Sequence, residues 1–179
     1  MTDEHIMQQV KEGAIQQLGL LFERYKQPMY SYFMRMTWDR PMSEDLTQVV
    51  FERILKYRNS FHSGRSFRAW IYQIARNVCI NHLEKSKRMQ MTELDINQSD
   101  WLSSDVNERI RDKETIENLN RALARLTEKQ REVLLLTRYT DMKYAEVAEI
   151  LECSVSAVKV KVFRATEQLR KHFFKIDAL

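Results

Sequence analysis

Three observations predict an all-α chain of two small helical domains. The 179 residues include only 3 Gly and 2 Pro, too few for sandwiches, barrels or doubly wound sheets, which need turn residues about every 10 positions. Apolar residues recur instead at intervals of three and four, the spacing of one helix face. The net charge of +4 divides unevenly: +5 over residues 1–91 (14 basic, 9 acidic), −5 over 92–120 (3 and 8) and +4 over 121–179 (12 and 8). Two basic domains, 1–91 and 114–179, are therefore expected on either side of an acidic linker, 92–113.

Taken in order, residues 1–13 are polar and acidic and do not read as a secretory signal. Leu18, Phe22, Tyr25, Met29, Phe33 and Met36 then mark one face of a long helix. Pro41 and Ser43 end it, and Ser43 is the expected N-cap of the next, with Glu44 and Asp45 in its first turn. That helix turns Leu46, Val49, Val50, Ile54 and Leu55 inward and closes near Lys56. A polar loop, 59–65, holds Gly64. A third helix is expected from about Ser66 to Glu84, with Trp70, Ile71, Ile74, Val78 and Leu83 inward. Beyond the linker, Ile116, Leu119, Leu123 and Leu126 form an amphipathic stripe. Thr127 with Gln130 is a capping-box pair opening a helix over 128–138. Two shorter helices, 144–151 and 155–173, complete the chain.

Composition also excludes classes of function. An apolar share of 44% rules out disorder throughout. Two cysteines, Cys79 and Cys153, against nine Met argue against a disulfide scaffold. His5, His62, His82 and His172 are too scattered to ligate a metal, and no carboxylates cluster at metal-binding spacing, so neither cofactor nor catalysis is expected. No apolar run approaches the ~18–20 residues that cross a bilayer, which predicts a cytoplasmic protein without membrane insertion.

The strongest local motif is KYAEVAEILECSVSAVKVKVFR, residues 143–164. A helix-turn-helix needs a small residue where its helices cross, apolar facing sides and a tight turn. Ala148 is the small residue; Val147, Leu151, Val155, Val158 and Val162 are the apolar sides. Glu152 stands in the turn where Gly is commonest. Ser154 can cap the second helix, leaving Ser156, Ala157, Lys159, Lys161 and Arg164 on or beside its outward face. Such side chains suit base edges and phosphates of a major groove.

The first domain carries a different pattern. Aromatic and basic residues interleave from Tyr57 to Arg88, the arrangement that stacks unpaired bases and tracks their phosphates. Phe67, Trp70, Ile71 and Ile74 read mainly as core; Tyr72, Arg76, Asn77 and Asn81 share a side and read as contacts.

Together these blocks resemble the extracytoplasmic-function sigma factors, small two-domain subunits of bacterial RNA polymerase. SEDLTQVVFERILKY (43–57), FRAWIYQIARNVCINHLEK (67–85), LTEKQREVLLLTRY (126–139) and YAEVAEILECSVSAVKVKVFRA (144–165) stand in the family's order. The resemblance implies polymerase docking through Asp45, Gln48, Glu52 and Arg53. It implies capture of single-stranded −10 DNA by the loop Phe61, His62, Ser63, Gly64, Arg65 with Arg68, supported by Arg76, Asn77, Asn81, Lys85, Lys87 and Arg88, and Tyr72 joins these contacts on its helical spacing. Ser154, Ser156, Ala157, Lys159, Lys161 and Arg164 would bind the −35 duplex. The chain departs from the pattern at Asn81 and Glu84, where many members carry Asp and Arg, and at Lys161, whose ammonium lacks the two-pronged geometry of Arg. Core RNA polymerase, promoter DNA and an anti-sigma factor are the implied partners, and the acidic linker is expected to mimic nucleic acid in the polymerase's RNA-exit region. The alternative is a conventional helix-turn-helix regulator with an N-terminal sensory or dimerisation domain.

Overall fold

The computed structural model describes residues 1–62, 64–90 and 110–177, which form eight α-helices and, among the described residues, no strand. The chain divides into two compact units, Met1–Ser99 and Asp100–Leu179. Most of the expected acidic linker lies outside the described residues, although α5 already begins at Ile110.

In the first unit α1 (Asp3–Lys11), α2 (Leu18–Thr37), α3 (Arg40–Lys56) and α4 (Phe67–Gln90) pack around one core. Helix α1 falls in the stretch expected to be merely polar. Thr2 caps it by accepting from the His5 amide, and Ile6, Met7 and Val10 are wholly buried. Pro28 lies within α2 and removes one ladder donor. The helix nevertheless runs on, because Leu21, Tyr25, Met29, Tyr32, Phe33 and Met36 bury one face.

The start of α3 differs from expectation. Asp39, not Ser43, is the N-cap, accepting from the Met42 amide at 2.9 Å, and Pro41 sits in the first turn, where its missing N–H costs nothing. Ser43 is buried and donates to the Asp39 carbonyl at 2.6 Å. Phe22, expected inward, is exposed apart from an edge-on contact with Phe51.

In the second unit α5 (Ile110–Ala124), α6 (Glu128–Leu134) and α7 (Tyr144–Ile150) all pack on α8 (Val155–Asp177). The Thr127–Gln130 capping box forms as the spacing predicts. The helix that follows widens into a π turn over Leu135–Tyr139. Ile116 and Val155, expected inward, are exposed.

Buried Arg131 closes the end of α5. Its guanidinium donates to the carbonyls of Leu123 (3.0 Å), Ala124 (2.9 Å) and Leu126 (3.1 Å), at and just beyond the helix end, where a cation meets the negative pole of the helix; the Leu123 oxygen also accepts from the Leu126 amide at 3.2 Å. Between α7 and α8, Glu152 adopts φ 52° and the Cys153 amide reaches the Ala148 carbonyl at 3.0 Å, a left-handed helix stop made without glycine.

Two substitutions test these contacts. Arg131→Met is expected to destabilise the second unit by about 3 kcal/mol, the loss of charged hydrogen bonds to buried carbonyls. Glu152→Gly should stabilise it by up to about 1 kcal/mol by removing the left-handed strain. Urea unfolding followed by circular dichroism reads both.

Candidate nucleic-acid interface

The segment linking α3 to α4 is defined by what its ends bury. Phe61 and Phe67 are both fully enclosed. Their rings meet at 6.1 Å; Phe67 packs on Tyr25 at 5.3 Å and Phe61 on Trp70 at 5.3 Å, all in tilted or edge-on geometries that favour aromatic quadrupoles. Between these anchors His62 and Gly64 are exposed. Gly64 takes φ 101°, a conformation open to glycine at no cost. Arg65 turns back on the His62 carbonyl and donates from Nη2 to Gln73 Oε1 at 2.8 Å. Ser63 lies outside the described residues.

Helix α4 continues this surface. Ala69, Trp70, Ile71, Ala75, Val78 and Cys79 face the core, which turns Asn77, Asn81, Lys85 and Arg88 outward at helical spacing as one exposed stripe. Glu84 is exposed beside them, and Arg68 and Arg76 are half-buried. The side chain of Lys87 lies outside the described residues.

Two of the residues expected to touch DNA are corrected: Phe61 and Tyr72 belong to the core, Tyr72 being only 3% exposed. Tyr72 packs edge-on against Tyr32 at 5.7 Å. Burial pushes its phenol up to about 12, partly offset by the positive charge of Arg68. Tyr25 is also raised, by burial and then by its 2.7 Å hydrogen bond to Asp3. Neither ring offers a face to a base; both set the attitude of the helices that carry the exposed groups.

On α3, Asp45, Gln48 and Glu52 are exposed and Arg53 half-exposed, opposite buried Leu46, Val50 and Ile54.

The helix-turn-helix is formed by α7 and α8. Ser154 caps α8 by accepting from the Ala157 amide at 3.1 Å. Val158, Val162 and Ala165 are buried. With about 100° per residue, the line directly opposite them runs through Ser156, Val160 and Phe163. Val160 is 48% and Phe163 68% exposed. Lys159 flanks this line on one side; Ala157, Lys161 and Arg164 flank it on the other. The expected contacts are thus the flanks; the apolar centre was not among them, although the 156–160–163 spacing marks it. Exposed apolar groups in a major groove can meet thymine methyls, while flanking cations reach phosphates or guanine edges.

Among the described residues no three potential ligands gather to hold a metal, and no helix is long and apolar enough to cross a membrane.

Comparison with known proteins matches both units to one family. Residues 21–89 match the family model of sigma-70 region 2 and residues 116–169 that of sigma-70 region 4. The chain is 31% identical to the RNA polymerase sigma factor YlaC of Bacillus subtilis over 165 residues, covering 87% of this chain and 91% of that protein. It is 30% identical to the ECF RNA polymerase sigma-E factor of Haemophilus influenzae over 182 residues, 94% of each. In fold it is similar to the sigma factor RpoE of Bartonella quintana, solved with the anti-sigma factor NepR, with a TM-score of 0.75, 20% identity and coverage of 89% and 97%.

The raised phenol of Tyr72 makes a prediction with a definite sign. A neutral buried phenol stabilises the fold fully below its ordinary value of 10.0, and that stability is lost as pH rises through about 12. Thermal unfolding between those values should fall less steeply in Tyr72→Phe than in the parent.

Proposed function

We infer the function from the family: this chain belongs to the extracytoplasmic-function (ECF) sigma factors of RNA polymerase. It directs core polymerase to promoters. The alternative of a regulator with an N-terminal sensory domain is set aside, because the region 2 match occupies that part of the chain. Our reading assigns the two basic surfaces to the two promoter elements. The observation that carries it is the pairing, in one chain, of an exposed stripe of Asn77, Asn81, Lys85 and Arg88 on the first unit with a helix-turn-helix on the second.

In this reading α8 enters the major groove at the −35 element. Val160 and Phe163 lie over the base edges, Ser156 and Arg164 offer hydrogen bonds, and Lys159 and Lys161 hold phosphates. His62, Gly64 and Arg65, with Arg68, Arg76, Asn77 and Asn81, receive bases of the melted −10 strand while Lys85, Lys87 and Arg88 screen its backbone. Opening each base-pair step costs about 1.4 kcal/mol; each captured base returns about 1–3 kcal/mol. One or two pockets therefore suffice to hold a short bubble open. The polymerase supplies phosphodiester chemistry, and this subunit supplies selection.

Asp45, Gln48, Glu52 and Arg53 dock the polymerase in the same reading. An anti-sigma factor, as in the solved relative bound to NepR, would cover such surfaces. The site of action is the cytoplasm, with the polymerase.

Reconstitution with core bacterial polymerase and a randomised promoter library tests the reading. A bipartite site should be enriched; no core binding and no enriched site would overturn it. Glu52→Ala with Asp45→Ala should weaken core binding. Arg76→Ala with Asn81→Ala should impair opening at unchanged core affinity. Within the −35 contact, Lys161→Ala should weaken holoenzyme binding to all sequences and lower the salt slope by about 1. Phe163→Ala should leave that slope unchanged and relax base preference at one position.

A further inference from the structure

Helix α1 lies before residues 21–89, so the family match assigns it nothing. It nevertheless touches both ends of the candidate −10 loop. Lys11 Nζ donates to the Phe61 carbonyl at 2.7 Å, across 50 positions of sequence. Glu4 Oε1 accepts from the Phe67 amide at 3.1 Å, across 63. We propose that Glu4 and Lys11 are positioning residues that clamp the −10 loop into its base-capturing shape; the proposal rests on the −10 reading given above.

The chemistry suits each contact. Phe67 opens α4, so its amide is among the four that no helical carbonyl reaches, and a carboxylate there also meets the positive end of the helix. Ser66 serves a neighbouring amide, accepting from Ala69 at 3.3 Å. At the other end an ammonium meets the carbonyl of Phe61, the residue whose amide closes the turn after α3 on the Arg58 carbonyl. Both contacts are half-buried, which spares them part of the screening that weakens surface pairs.

Spacing gives the clamp its function. Glu4 and Lys11 stand two helical turns apart on α1, about 10 Å along its axis. The six residue steps from Phe61 to Phe67 reach about 20 Å when extended. The two contacts fall at Phe61 and Phe67, the ends of the segment, and between them His62 and Gly64 stand exposed. The ruler is itself fixed: Ile6, Met7 and Val10 are wholly buried, Asp3 accepts from Tyr25, and Asp3 is paired with Arg24.

The test uses the full chain in reconstituted holoenzyme, with Lys11→Met, Lys11→Arg and Glu4→Gln. Three readouts are taken: binding to a fork-junction probe with a single-stranded −10 region, binding to core polymerase, and hydrogen exchange of the Phe67 amide in the free protein. His62→Ala with Arg65→Ala is run alongside as the loop control. Fork-junction affinity is expected to fall about tenfold in Lys11→Met, which loses a charged hydrogen bond, and in Glu4→Gln, whose amide oxygen still accepts but without the charge, and to recover in Lys11→Arg. Core affinity should hold, and Phe67 exchange should rise in Glu4→Gln while α2 and α3 amides stay protected. If the loop control weakens fork binding and the α1 variants do not, the clamp is refuted and the −10 reading stands. If the loop control has no effect, the −10 reading falls and the proposal with it. Equal losses of fork and core binding, or no rescue by Lys11→Arg, would reduce α1 to a general structural part and overturn the proposal; should Lys11→Met not fold, Glu4→Gln decides.

Discussion

The enclosure of Phe61 and Phe67 in one aromatic cluster is the constraint on which the first unit depends. Two rings separated by five residues must both reach the same core, alongside Tyr25 and Trp70. A chain so pinned has to leave the surface and return, and the residues between have no apolar reason to fold inward. Removing either ring would cost a core about 3–5 kcal/mol, and it would also release the exposed loop. Stability and display are set by the same two side chains.

The second unit solves the same problem with aliphatic residues. Val158, Val162 and Ala165 seat α8 on its neighbours, and the opposite line is thereby Ser156, Val160 and Phe163. Phe163 leaves most of its ring in water, an arrangement that adds nothing to the fold and suits a partner that supplies apolar surface. Arg131 shows the converse, a cation used entirely inside the fold, holding three carbonyls together where α5 ends. Charge alone does not distinguish the two kinds of residue; burial does.

How far these features could be read from the sequence depended on the range of the interaction behind them. Helix α2, the Thr127–Gln130 capping box, the Ser154 cap and the helix-turn-helix all follow from neighbours within a turn or two, and all were legible. So was the exposed polar face of α3; of the side expected to carry Tyr72, Arg76, Asn77 and Asn81, the two asparagines alone are exposed. Phe61 and Tyr72 were misjudged because an aromatic beside arginines has the same local appearance whether it stacks on a base or on Phe67 and Tyr32. The start of α3 was misplaced because Ser43 and Asp39 are both competent caps, and Pro41 reads as a breaker although the first turn tolerates it. Helix α1 was missed for its low apolar content, yet its signals were present: Thr2 as cap, Asp3 and Glu4 in the first turn, Lys11 in the last and Gly13 beyond. Its grip on residues 61 and 67 has no local trace at all.

That long reach also affects the order in which the molecule is completed. Helix α1 is translated well before the segment it holds, and a nine-residue helix has little stability in isolation. At about 5–20 residues per second, the ribosome needs several seconds to add the chain from Lys11 to Phe67. Throughout that interval Ile6, Met7 and Val10 have no finished core to enter. A helix made before the rest of its core is thus among the last parts of this unit to settle.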